Sequence, residues 1–262
     1  MKKGYKKYKV ISNKSLATNV FELVLKLEDN ETIEGLPGQF YMVKIGDSLD
    51  PLLPRPFSIN DLKNNGVSFL YEIMGRGTEA LSKLRPGDLV EAMGPLGEGF
   101  DLSVEGKIAL VSGGAGIAPM RYLAKNLKNS EIDIYTGYRD EVYGFEDLEE
   151  YVKNIYVATE SGLTGHKGFV TDNFKPEEYD YVISCGPTPM MKVVQSMCKD
   201  KTNLYLSLES RMACGVGACF GCTCGNIDGN KHVCTDGPVF KGEEVIFNRS
   251  EERRVGKECR SR

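Results

Sequence analysis

The sequence predicts a β + α/β chain: an N-terminal antiparallel β-barrel, a parallel α/β domain, and a small cysteine-rich C-terminal subdomain. Three observations carry the prediction. Short strand-like runs separated by glycine and proline turns fill the chain up to Phe100. From Gly106 onward, apolar runs alternate with helix-length segments. Five of the eight cysteines then fall between Cys214 and Cys234.

In the first region, Phe21, Leu23, Leu25 and Leu27 alternate with Glu22, Val24 and Lys26, the period-two pattern of a half-buried strand. Residues 39–45, 57–60, 67–73 and 89–93 read as further short strands. Gly35–Pro37–Gly38, Asn64–Asn65–Gly66, Pro86–Gly87–Asp88 and Gly94–Pro95 supply the turns between them. A short helix is expected from Gly77 to Leu84. In the second region, residues 107–112 form an apolar run, followed by a glycine turn and a helix-length segment to Asn129. Strand-like runs recur at 131–136, 154–158, 180–185 and 203–208, with a helical pattern at 188–199. That alternation argues for βαβ units and a parallel sheet. The expected boundaries are 1–102 for the barrel, 103–208 for the α/β domain and 209–247 for the cysteine segment. Residues 248–262 form a separate tail. Arg249–Arg262 is charged and aperiodic and reads like a translated adapter fragment, so Cys259 is given no role and the natural chain is expected to end near Phe247 or to continue differently.

A net charge of −4 excludes an ordinary nucleic-acid binder. The lysines at 2, 3, 6, 7 and 9 precede no signal-peptide core, and no apolar run reaches the ~18 residues of a membrane span. A cytoplasmic protein is expected, with no nucleic acid and no membrane as partner. A tight cysteine cluster in such a chain favours metal ligation over disulfides.

The spacing Cys214-x4-Cys219-x2-Cys222, with Cys234 further on, matches the plant-type 2Fe–2S pattern. Gly215, Gly217 and Gly221 give the loop freedom to wrap a cluster and aim N–H groups at its sulfurs. Structural zinc is the rival, but only Cys219 and Cys222 have C-x2-C spacing. Cys224 competes with Cys234 as fourth ligand. His166 and His232 are read as solvated, as is the acidic run Glu146, Asp147, Glu149 and Glu150.

Four further motifs suggest nucleotides. Arg55-Pro56-Phe57-Ser58 precedes a strand; the guanidinium can pair with a pyrophosphate, the ring can pack on a flavin and the hydroxyl can hydrogen-bond it. Gly77 and Thr78 open the short helix, where N–H groups can face a phosphate. Gly113-Gly114-Ala115-Gly116-Ile117-Ala118-Pro119 lies between strand and helix, as a phosphate loop must, although Pro119 departs from G-x-G-x-x-G. Cys185-Gly186-Pro187 ends a strand at the same edge, where ligands of open α/β sheets bind.

In the order RPFS, GGAGIAP, CGPTPMM, these motifs resemble the ferredoxin–NADP reductase family over residues 5–208. The stretch Glu209–Cys219 (ESRMACGVGAC), with Cys234–Phe240 (CTDGPVF), is similar to the electron-transfer subunits of type B dihydroorotate dehydrogenases and extends the resemblance to residue 247. The resemblance implies FAD against Arg55, Pro56, Phe57, Ser58, Leu70, Tyr71, Glu72, Gly77 and Thr78. It implies NAD against Gly113 to Pro119 and Cys185 to Pro187, and a 2Fe–2S cluster on Cys214, Cys219, Cys222 and Cys234. It also implies an oxidoreductase subunit of pyrimidine (UMP) biosynthesis. A flavin-containing catalytic subunit, in a heterotetramer, would oxidise dihydroorotate, and electrons would leave on NAD⁺. The lack of a Ser/His/Asp set or paired carboxylate fits, because cofactors carry such chemistry. A reductase subunit exchanging electrons between NAD(P)H and ferredoxin, or serving a hydrogenase or sulfide-linked complex, is the alternative. A zinc-stabilised binding module is the non-enzymatic one.

Overall fold

The structure, a computed structural model, describes residues 4–29, 31–46, 52–145 and 147–247. Arg249–Arg262 and Glu146 lie outside the described residues.

Seven strands build the first sheet: β1 (Lys6–Ala17), β2 (Val20–Leu27), β3 (Phe40–Lys44), β4 (Arg55–Ser58), β5 (Asp61–Lys63), β6 (Gly66–Glu72) and β7 (Leu89–Leu96). Their order is β4-β3-β7-β1-β2-β6-β5, with antiparallel pairing throughout. The sheet curls until β4 meets β6, where Phe57 lies 5.6 Å from Tyr71 and 6.2 Å from Phe69. The alternation expected of β2 is present: Leu23, Leu25 and Leu27 join Tyr41, Val67 and Phe69 in the barrel core. β1 escaped sequence reading because its lysine-rich start hides the inward pair Tyr8 and Val10. A short helix, α1 (Arg76–Ser82), follows β6.

The second sheet carries β8 (Gly106–Gly113), β9 (Ser130–Tyr138), β10 (Asn154–Thr159), β11 (His166–Lys167), β12 (Tyr181–Cys185) and β13 (Asn203–Ser207), in the order β11-β10-β9-β8-β12-β13. These six pair in parallel. Helices α2 (Ile117–Asn126) and α3 (Thr188–Cys198) connect them. Ile108, Ala109, Leu110 and Val111 are all fully buried, as expected of a parallel strand covered on both faces. The register Gly113↔Gly137, Tyr138↔Thr159, Ser112↔Cys185 and Cys185↔Ser207 brings the strand ends to one edge. β8 and β12 are neighbours although three strands, β9, β10 and β11, come between them in sequence and lie on the other side of β8, which makes their junction the switch point where ligands bind.

The C-terminal segment adds β14 (Thr223–Asn226), β15 (Gly229–His232), β16 (Val239–Lys241) and β17 (Val245–Ile246). β14, β15 and β17 form a small sheet, while β16 extends the second sheet by pairing antiparallel with β13. The segment also rests on the barrel: Met42, Met93 and Leu96 share one core with Cys222, Val233, Cys234 and Phe240. Among the described residues no helix is long and apolar enough to cross a membrane.

Candidate functional site

The four predicted cluster cysteines converge as two pairs. The Cys214 thiol interacts with that of Cys219, and the Cys234 thiol with that of Cys222; Cys214 also acts electrostatically on Cys234. Left-handed glycines bend the loop, with φ of 70° at Gly215 and 79° at Gly217. Gly215 must be bare for a second reason, since a Cβ there would lie 2.6 Å from Met42 Cγ on the barrel. The loop aims N–H groups at sulfur: Val216 to Cys214 at 3.5 Å, Gly217 to Cys234 at 3.1 Å and Gly221 to Cys219 at 3.5 Å. Partial burial pushes the Cys214 thiol up, but the Val216 N–H, the Cys219 thiol and further N–H groups outweigh it and hold it at about 7. Burial and the Cys222 thiol push Cys234 up to about 12, against the Gly217 N–H. Among the described residues no three His, Cys, Asp or Glu side chains surround a point suited to a single metal ion. Four thiols in two pairs are a donor set that can hold a two-iron cluster, the group to which the C-x4-C-x2-C spacing points. Cys224 sits on β14 opposite Lys231. His232 is not simply solvated: its ring meets Phe220 edge-on at 4.6 Å, and its backbone N–H donates to Asp236 Oδ2 at 2.6 Å.

At the barrel, the two predicted flavin motifs meet. The Arg55 guanidinium lies directly on Gly77, where any Cβ would collide with it, and it also donates to the Leu53 carbonyl. Thr78 holds the turn: its hydroxyl accepts from Met74 N at 2.8 Å and Gly75 N at 3.3 Å and donates to Gly75 O at 3.1 Å. Strand alternation divides Leu70, Tyr71 and Glu72. Tyr71 points into the barrel and donates its hydroxyl to Asn13 at 2.9 Å, so only its backbone faces outward. Leu70 faces the second domain, and Glu72 is exposed at the strand end. Pro56 and Ser58 alternate with Arg55 and Phe57 along β4, opposite Met42 and Phe40.

The glycine motifs of the second domain interlock. A Cβ on Gly116 would strike the Cys185 backbone, one on Gly113 would lie 2.8 Å from Pro187 Cδ, and one on Gly186 would lie 2.8 Å from Gly113 N. Gly114 differs. Its φ is 54°, and its open side meets only the Tyr143 hydroxyl, 3.6 Å from a would-be Cβ. Gly114 and Ala115 therefore offer backbone to a ligand, while Gly113, Gly116 and Gly186 permit close packing. Ile117, Ala118 and Pro119 are buried in the first turn of α2, so their side chains serve the core.

Sequence reading named Glu72, Cys185 and Glu209 separately, but missed Tyr143 and the fact that the four meet between the two domains. Tyr143, Glu72, Glu209 and Cys185 form one electrostatic group there. Desolvation in the cleft raises the Glu209 carboxyl, and Glu72 adds to the effect. Solvent still reaches Glu209, so this is a cleft wall rather than core. Burial drives the Cys185 thiol well above its ordinary range, and Glu209 reinforces it. Burial likewise pushes Tyr143 up to about 12, with Glu72 and Glu209 contributing. No motif could have flagged Tyr143, because its partners come from three separate elements.

Proteins with this barrel, switch-point sheet and connecting cleft are ferredoxin-reductase-like oxidoreductases. A solved NADH-dependent reduced ferredoxin–NADP oxidoreductase superposes with a TM-score of 0.82 at 26% identity, covering 95% of this chain and 98% of that one. The ferredoxin reductase of carbazole 1,9a-dioxygenase shares the fold at a TM-score of 0.65 and 20% identity, over 76% of this chain and 66% of that one. Residues 209–246 match the iron–sulfur cluster binding domain of dihydroorotate dehydrogenase B. The electron transfer subunit of dihydroorotate dehydrogenase B (NAD(+)) from Clostridium acetobutylicum is 48% identical over 250 residues, 95% of this chain and 100% of that protein. Its counterpart from Clostridium perfringens is 45% identical over 93% of this chain and 98% of that protein. The chain belongs to the family of electron transfer subunits of dihydroorotate dehydrogenase B.

Proposed function

We propose that this chain carries electrons from a flavin-containing partner subunit that oxidises dihydroorotate to NAD⁺, in pyrimidine biosynthesis. A 2Fe–2S cluster would sit on Cys214, Cys219, Cys222 and Cys234, FAD on the barrel and NAD at the switch point. The observation that carries the reading is the pairing of four thiols in a loop packed on the barrel that also holds Arg55. Bound FAD supplies the conversion between the cluster's single electrons and the hydride exchanged with the nicotinamide. The protein's part is to bind, orient and insulate. Arg55 offers a bidentate partner for a pyrophosphate, and its stem is fixed by Gly77. Gly114 leaves backbone open for the NAD phosphates ahead of α2. Cys185 stays a neutral thiol at the cleft floor, so it adds no charge beside a reacting ring.

The boundaries 1–102, 103–208 and 209–247 divide these roles. A cytoplasmic setting suits the seven free cysteines of the described residues, and a heterotetramer of two subunit types fits the division of labour. The purified chain is expected to show flavin and iron–sulfur absorption and to reduce artificial acceptors with NADH. It is expected not to oxidise dihydroorotate without its partner. A colourless protein with stoichiometric zinc, or dihydroorotate oxidation by the chain alone, overturns the reading.

A further inference from the structure

Helix α2 joins the two nucleotide regions. Its N-terminus grows out of the Gly113–Gly116 turn, and its other end lies on the barrel. Three contacts cross there, from Arg121, Tyr122 and Lys125, within little more than one helical turn. Lys125 Nζ meets Asp61 Oδ2 on β5 at 2.7 Å. The Tyr122 hydroxyl donates to the Gly35 carbonyl at 2.9 Å. Arg121 reaches Glu22 on β2 at 3.9 Å and Asp147 of its own domain at 3.3 Å. The Lys125 pair is the tight one, with side chains only 13% and 14% exposed, and the Tyr151 ring covers Lys125 from 5.5 Å.

An ion pair this buried is a weak source of stability, because taking both charges out of water costs about what their attraction returns. It serves orientation instead, since separating the partners would leave a buried charge uncompensated. Lys125 lies eight residues beyond Ile117 on a rigid helix. At 1.5 Å per residue that is about 12 Å, so a tilt of ~10° at the barrel contact would shift the phosphate loop by ~2 Å. Shifts of ~1 Å in a reacting pair can cost about a hundredfold in rate.

We propose that Lys125 and Asp61 are positioning residues, whose ion pair fixes the nicotinamide loop of one domain over the flavin face of the other. The proposal rests on the FAD and NAD reading above. It is tested in the full chain with Lys125→Met, which keeps the apolar stem, and with Lys125→Met/Asp61→Leu, which removes both charges and avoids a stranded carboxylate. The expected result for both is a single-turnover flavin reduction by NADH slowed by roughly 30-fold or more. The long-wavelength charge-transfer absorbance between nicotinamide and flavin shrinks with it, while FAD and iron content stay at wild-type levels. Lys125→Arg restores both signals. Wild-type rate and absorbance in the double variant overturn the proposal, and so does a loss that only tracks lost FAD. If NADH fails to reduce the flavin of the wild-type chain, the NAD reading falls instead, independently of Lys125.

Discussion

Two glycine-rich loops in this chain use most of their glycines for different ends. In residues 113–119 glycine lets protein touch protein, with Gly116 against the Cys185 backbone and Gly113 against Pro187 and Met190. The loop between Cys214 and Cys222 uses glycine to curl: Gly215 and Gly217 take left-handed φ, and beside Gly221 the nearest atom is Cys219 Sγ, 3.5 Å from a would-be Cβ. The first loop is backed by buried Ile117, Ala118 and Met120, whereas the second leaves Val216 41% and Phe220 65% exposed. One loop is shaped by packing before any ligand arrives. The other is shaped by N–H···S contacts and by what its thiols hold, as metal sites commonly are. Substitutions should therefore hurt the first through stability and the second through its cargo.

The largest effect is expected in the cysteine loop. Cys222→Ser should abolish the visible absorption of the cluster and lower partner-linked electron transfer more than ~100-fold, beyond the effect of losing an outer-shell contact. Its melting temperature for the barrel and α/β domain should change little, and NADH should still reduce a two-electron artificial acceptor. Cys234→Ser should behave the same way, because Cys234 shares the Cys222 thiol contact and the Gly217 N–H. Cys224→Ser should keep a full cluster. Iron quantification of the three proteins checks this, and a stable cluster in Cys234→Ser would hand the fourth position to Cys224.

Gly116→Ala probes the packed loop. Its Cβ meets backbone atoms, which cannot rotate away, so strand end and helix must separate. A cost of about 1–3 kcal/mol is expected from such overpacking. Thermal unfolding should report it, together with weaker NADH binding and an unchanged cluster spectrum. A destabilised protein that also lost its iron would erase the contrast between the loops. Gly77→Ala sits between the two cases. Its Cβ collides with a flexible side-chain end, the Arg55 guanidinium, which can swing aside. Stability should therefore hold while FAD affinity falls about 10-fold, the scale of one charge-assisted contact. Equilibrium flavin release measures it, and unchanged FAD affinity would remove Arg55 from the site.

Much of this was legible in the sequence. The period-two pattern of Phe21–Leu27 and the apolar run 107–112 mark strands because burial on one face or two leaves a plain signature. The cysteine spacing was legible because ligation constrains local sequence directly. What stayed hidden depends on distant pairing. β1 is masked by its lysines, β16 is recognisable only as a partner of β13, and the cleft group of Glu72, Tyr143, Cys185 and Glu209 is assembled from separate elements. The glycines of 113–119 were legible as a turn, but which of them faces a ligand depends on Pro187 and Met190, some seventy residues away. Side-chain direction was lost where three neighbouring residues, Leu70, Tyr71 and Glu72, were assigned to one ligand.

That last point gives the smallest effect and a clean control. On a strand, neighbouring side chains point to opposite faces, so Tyr71 cannot share a ligand face with Leu70 and Glu72. Its ring packs inside the barrel, stacked on Phe21 at 5.6 Å, and its hydroxyl reaches Asn13. Asn13 in turn donates to the Leu81 carbonyl at 2.9 Å and the Leu84 carbonyl at 3.2 Å, tying the end of α1 to the barrel. Burial raises the Tyr71 phenol to about 12, so it stays protonated and donates throughout the working pH range. Tyr71→Phe removes one part-buried hydrogen bond and leaves Asn13 Oδ1 short of a donor, which should cost about 1 kcal/mol. Flavin content, flavin absorption and the NADH reduction rate should match the wild-type chain, because no part of the removed hydroxyl faces the cleft. A shifted flavin spectrum in Tyr71→Phe would mean that the barrel interior, and not only its outer wall, is part of the binding site.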